Sequence, residues 1–199
     1  MDYFKLIESI SIILASAAAI YGIFSWRNET RWKRKHELAE EVLAKFYEAH
    51  KNLRIIRVPF IYIEEVKSRK KSVNETEEET KIYDNAYVIQ ERFEKNKESF
   101  ERLQVLKFRF IAIFGKEHEK VFNDLIIIVN KILFATNEIA RIQLGQYGEL
   151  SPSEKGKEIR EHMKIIYSAP RPENDPIEIE FQKIIEYIDK VCRKILGKN

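Results

Sequence analysis

The side chains best suited to chemistry are scattered along this chain. None of His36, His50, His118 and His162 has a glutamate three residues before it, the spacing with which helical bundles build paired metal sites. His118 lies between Glu117 and Glu119, which point in different directions on a helix. Glu158 and His162 are four apart and share a face, but one pair is at most half a site and reads as a surface ion pair. Cys192 is the single cysteine. Beside Val191 it reads as core or boundary, and one thiol forms no disulfide within the chain, which suits a reducing compartment. The sequence has no His-Glu-x-x-His, no phosphate-binding glycine loop, no Gly-x-Ser-x-Gly elbow and no cysteine pair. Catalysis, cofactors and metals are therefore not expected, and an interaction protein is.

Arginines are the more informative group. Arg54 and Arg57 precede Pro59, and Arg92, Arg102 and Arg109 lie further on, Arg109 with Phe108 and Phe110 on either side and so a partly buried stem. A guanidinium pairs with carboxylate or phosphate in a bidentate fashion. Two readings follow: an anionic ligand held near Arg54 and Arg57, or interhelical ion pairs that fix register, the commoner use of buried arginine. The run from Lys67 to Lys71 reads as a solvated loop. With a net charge of only +3, nucleic acid is not an expected partner.

Positioning these groups falls to helices. Six Gly and five Pro in 199 residues leave few breaks and argue against a turn-rich β fold. From Ser9 to Trp26 no charge occurs over 18 residues, about 27 Å of helix, enough to cross a hydrocarbon core. A cleaved signal would want a basic start instead of Met1-Asp2, and a surface-lying helix would want a polar face. Trp26 and Trp32 suit a membrane interface. The flank before the segment carries Asp2, Lys5 and Glu8; the flank after it carries Arg27, Arg31, Lys33, Arg34 and Lys35 against Glu29. The positive-inside rule then places the N-terminus outside and residues 27–199 in the cytoplasm. There the sequons at Asn28 and Asn74 go unused, and the basic cluster faces anionic inner-leaflet lipid. Within the segment, Ser11, Ala15 and Ala19, and separately Ala18 and Gly22, repeat at four-residue spacing. This pattern lets helices approach closely, so self-association in the membrane is one reading and ordinary anchor composition the other.

The remainder reads as a bundle. No Pro or Gly interrupts residues 23–58, so the anchor is expected to continue as one rod, with Leu38, Val42, Phe46, Ala49, Leu53 and Ile56 as its apolar stripe and Pro59 as its stop. Residues 60–79 are expected to be a charged linker or mobile loop. A second helix over 77–114 follows a Thr76/Glu79 capping box, with Tyr83, Ala86, Ile89, Phe93, Phe100, Leu103, Leu106, Phe110 and Ile113 inward and Gly115 as its stop. A third, over 117–144, is the most apolar. A short helix opens at Ser151-Pro152-Ser153-Glu154, and a last one at Asp175-Pro176. The expected fold is all-α: an N-terminal transmembrane helix (1–26) continuing into an antiparallel cytoplasmic bundle (27–199) of about four long helices plus one short one.

The stretch from His36 to Ala49, then Leu53-Arg54-Ile55-Ile56-Arg57-Val58-Pro59-Phe60, Phe108-Arg109-Phe110 and Phe114-Gly115, resembles a bacterial family with one N-terminal membrane helix and a helical remainder. That family has no assigned activity, so the resemblance implies this layout and a cell inner membrane, and no site residues. Three functions fit: a membrane-tethered scaffold for a protein partner, a membrane effector that oligomerises through its anchor, or an anionic-ligand binder through Arg54 and Arg57.

Overall fold

A computed structural model describes residues 3–146 and 148–197. Asp2 and the side chain of Lys5, both counted in the outer flank, lie outside the described residues. Among those described, every regular element is helical: α1 (Tyr3–Ile56), α2 (Ile63–Val66), α3 (Glu77–Phe114), α4 (Glu119–Gln143), α5 (Pro152–Ile166) and α6 (Pro176–Ile195), with 3₁₀ turns at Lys116–His118 and Pro172–Asn174.

The 54 residues of α1 form one unbroken helix, about 80 Å long. From Ile7 to Glu29 its residues are exposed. Its second half enters the bundle at Leu38 and buries the expected stripe through Ile56. Polar pairs between helices show the direction of each. Asn52 donates to Ser99 Oγ at 3.0 Å while Arg92 reaches the Val58 carbonyl, so α3 runs back along α1. Lys107 meets Asn123 and Gln90 meets Asn137, so α4 reverses again. His50 pairs with Glu178 and Tyr47 with Asp189, so α6 returns beside α1. Contacts link α1 to α3, α3 to α4, α4 to α6 and α6 back to α1, with α5 laid against α4. This is the up-down-up-down bundle. Phe46, Phe110 and Phe122 meet at its centre, with ring centroids 5.2 Å (Phe46–Phe122) and 5.7 Å (Phe110–Phe122) apart.

Helix ends follow local chemistry. Glu79 N–H donates to Thr76 Oγ1 and Thr76 N–H donates to the Glu79 carboxylate. Ser151 and Glu154 repeat the exchange. Gly115 has φ +113°, a backbone conformation that residues with a Cβ rarely adopt, so the sharp α3–α4 turn needs glycine; an added Cβ would also meet the Glu117 carboxylate.

Two expectations change. Along α3, Ile82, Val88 and Ile89 are buried while Tyr83 and Ala86 are half-buried and Ile113 is exposed. The register rotates at the N-terminal end because α1 has ended there: Ile82, Ala86 and Ile89 share a pocket with Met163 and Ile166 of α5 instead. Residues 60–79 form no free linker. They contain α2; a bidentate Arg69–Glu75 pair (2.6 and 3.0 Å) closes the segment on itself, and a bond from Arg69 to Asp84 with stacking over Tyr83 ties it to α3.

Candidate functional site: the exposed anchor and the pole of the bundle

The apolar half of α1 is one segment long and apolar enough to cross a membrane, and none of that window is buried against the protein. Ile10, Ile12, Ile13, Leu14, Ile20, Ile23 and Phe24 all stand in the open. On an insertion scale each contributes about 0.3–0.6 kcal/mol towards the bilayer, so these seven supply about 2–4 kcal/mol. Ser11 turns its hydroxyl back to the Ile7 carbonyl at 2.9 Å, which hides its polarity from lipid. Ala15, Ala18, Ala19 and Gly22 are exposed, with nothing within 4 Å of a Cβ built on Gly22.

Past Trp26 the helix continues through the basic cluster before reaching the bundle. Arg27, Arg31, Arg34 and Lys35 have no ion pair among the described residues, and Lys33 has only Glu37 at 3.9 Å. Arg27 and Arg31, and Arg31 and Lys35, are like charges at four-residue spacing. Each such pair costs roughly 0.2–0.5 kcal/mol, whereas an anionic lipid surface returns about 1 kcal/mol per cation.

At the other pole the structure separates the arginines singled out above. Arg57 is 1% exposed. It forms a bidentate pair with Asp175 (2.9 and 3.0 Å) and donates to the carbonyls of Lys164, Ile165 and Tyr167. Asp175 in turn accepts from the backbone of Ala169, Ile177 and Glu178. Burial by itself would raise the Asp175 carboxyl, but the Arg57 guanidinium and these N–H donors outweigh it and hold the group below its ordinary value. The pair thereby joins the end of α1, the end of α5 and the start of α6. Arg92 does the same for the α1–α2 turn: it pairs with Glu65 (2.6 and 2.8 Å) and donates to the carbonyls of Val58 and Phe60. Its hydrogen bond lowers the Glu65 carboxyl. For Arg57 and Arg92 the register reading fits, and no face of either is left for a ligand. Arg102 and Arg109 both reach Glu41 on α1. The Arg109 side chain is 55% exposed, because Phe110 takes the inward position and turns residue 109 outward.

Arg54 is the exception. It is exposed, without an ion pair among the described residues, and lines an open groove of about 520 Å³ with Tyr47, Lys51, Ile55, Val58 and Pro59. Beside it the turn presents Phe60 (71% exposed), Tyr62 and Ile63 (78% exposed) to solvent. A second groove, of about 450 Å³, runs between α4 and α6 over Val121, Ile128 and Ile184. Sequence reasoning missed the roles of Glu65, Asp84 and Glu41, since long-range partners leave no trace in local spacing. Asp175 was visible as a cap but not as the partner of Arg57. Cys192 is buried, and burial pushes its thiol up to about 12. Among the described residues no three His, Cys, Asp or Glu side chains converge on a metal position. No protein-family model, curated protein or solved structure matches the chain.

Proposed function

We propose that this chain is a membrane-anchored helical module that holds a protein-binding bundle at the cytoplasmic face of a bacterial inner membrane. The observation that carries the reading is α1: a single helix whose first half is apolar and wholly exposed, and whose second half forms one wall of the core. The basic collar between the two supports the orientation. The test combines extraction with labelling. The full chain should stay with membranes through a carbonate wash. In a Cys192→Ser background, an impermeant maleimide applied to intact spheroplasts should label Tyr3→Cys and reach Lys155→Cys only after lysis. Recovery of the full chain in the soluble fraction would end the proposal.

One observation favours a second reading, an effector that assembles through its anchor. The face bearing Ser11, Ala15, Ala18, Ala19 and Gly22 is exposed, so a second helix can approach closely. On this reading overproduction depolarises cells, and Ala18→Leu or Gly22→Leu abolishes the effect. An unchanged membrane potential on overproduction would remove it.

A further inference from the structure

We propose that the outward face of the last three turns of α1, with the adjoining Phe60–Ile63 turn, is the docking site for an acidic amphipathic helix of a partner protein. The proposal rests on the anchored-module reading and names the site and the chemistry of its partner.

On α1, Arg54 and Ile55 lie three and four residues after Lys51 and so share its face, and Val58 follows just past the helix end. They line the groove of about 520 Å³, with Ser168 on its other side. Ser168 donates its N–H to the Arg57 carbonyl at 2.9 Å, so that wall is fixed to the end of α1. The groove floor is apolar and its cations are unspent. Among the described residues neither Lys51 nor Arg54 has an ion pair, whereas Lys45, six residues before Lys51, is engaged by Glu48 at 2.6 Å. The exposed Glu64, next to the turn, is already taken by Lys67. Desolvating apolar side chains beside free positive charge selects a partner with apolar anchors and negative flanks. Arg92 clamps the carbonyls of Val58 and Phe60, so the turn is presented rigid, without an ordering cost at binding.

Geometry selects among occupants. Trp26 to Ile56 spans about 45 Å of straight helix, which keeps this face away from the bilayer that holds α1. A second copy would bring the same basic face, and like charges oppose that pairing. From Tyr47 to Val58 is about 16 Å, three turns of a bound helix.

The test uses the full chain in neutral phosphatidylcholine nanodiscs. The probe is a fluorescent 18-residue peptide with leucines along one helical face and glutamates along the other. Anisotropy should show binding that weakens as salt is raised. Lys51→Glu with Arg54→Glu should weaken it at least about tenfold, and Phe60→Ser with Ile63→Ser should weaken it as well. A peptide with lysines in place of the glutamates should bind the charge-reversed chain in preference to the native one. All four side chains are at the surface, and unchanged thermal midpoints confirm that the variants fold. Should a variant misfold, Lys51→Gln with Arg54→Gln makes the same comparison. The proposal is overturned by no binding to the native chain, by equal binding of both peptides, or by indifference to the charge reversal. It is also overturned if phosphatidylserine vesicles displace the peptide, which assigns the face to lipid, or if the reversal dissociates a dimer, which assigns it to a second copy. Soluble recovery of the chain would refute the anchor and leave this measurement intact.

Discussion

Arg57 and Arg92 each trade a charge for control of chain ends. A buried ion pair contributes little net stability against a well-packed apolar replacement, but breaking one side of it leaves an unpaired charge and costs about 3–5 kcal/mol. Arg57→Ala should therefore lower the denaturant midpoint far more than Arg102→Ala, whose partner Glu41 is at the surface, where such a pair is worth about 0–1 kcal/mol. Urea unfolding of the detergent-solubilised chain checks the contrast; equal losses would contradict it. The acids give a pH signature. Glu75 is held at about 2 by the Arg69 guanidinium, and Glu65 and Asp175 also lie below their ordinary values. All three take up protons less readily folded than unfolded, so acidification favours the unfolded chain. The thermal midpoint should be level above about pH 5 and fall as the pH drops from about 4 towards 2. A midpoint unchanged down to that pH would refute the assignment. Cys192, buried and with its thiol pushed up to about 12, should react with maleimide only after unfolding.

Among elements, those bounded by their own residues were legible in the sequence. The Thr76–Glu79 and Ser151–Glu154 boxes, Asp175 before Pro176 and Gly115 act within a few positions, so helix starts and stops appear in the sequence much as they do in the fold. Ser151→Ala should cost about 1 kcal/mol. Gly115→Ala should cost more, since it adds contact with Glu117 to the strain of a positive φ; thermal melts of the two variants provide the ranking. What depends on distant chain was not legible. The rotation of α3 near Ile82, the ordering of 60–79 by Arg69 and Asp84, and the pairing of Arg57 with Asp175 arise from which element lies opposite. Periodicity names a buried face; it does not name what covers it.

At the scale of the molecule, the bundle closes its core with residues from Leu38 onward, and α1 from Ile7 to Glu29 is exposed. The two halves should therefore separate cleanly in experiment. Deleting residues 1–26 should release the chain from membranes while leaving its helical circular dichroism per residue and its cooperative unfolding in place. A truncated product that aggregates would show that the anchor half stabilises the bundle after all.

The seamless passage from exposed anchor to bundle wall has a mechanical consequence. With no glycine or proline between Phe24 and Val58, any rolling of α1 about its long axis is passed to the domain as to a key on its shaft. Each residue added to or removed from the collar turns the domain by about 100° and shifts it by about 1.5 Å. Binding that depends on which way the domain faces should then vary with collar length in a beat of three to four residues, dropping when two are removed and recovering when four are.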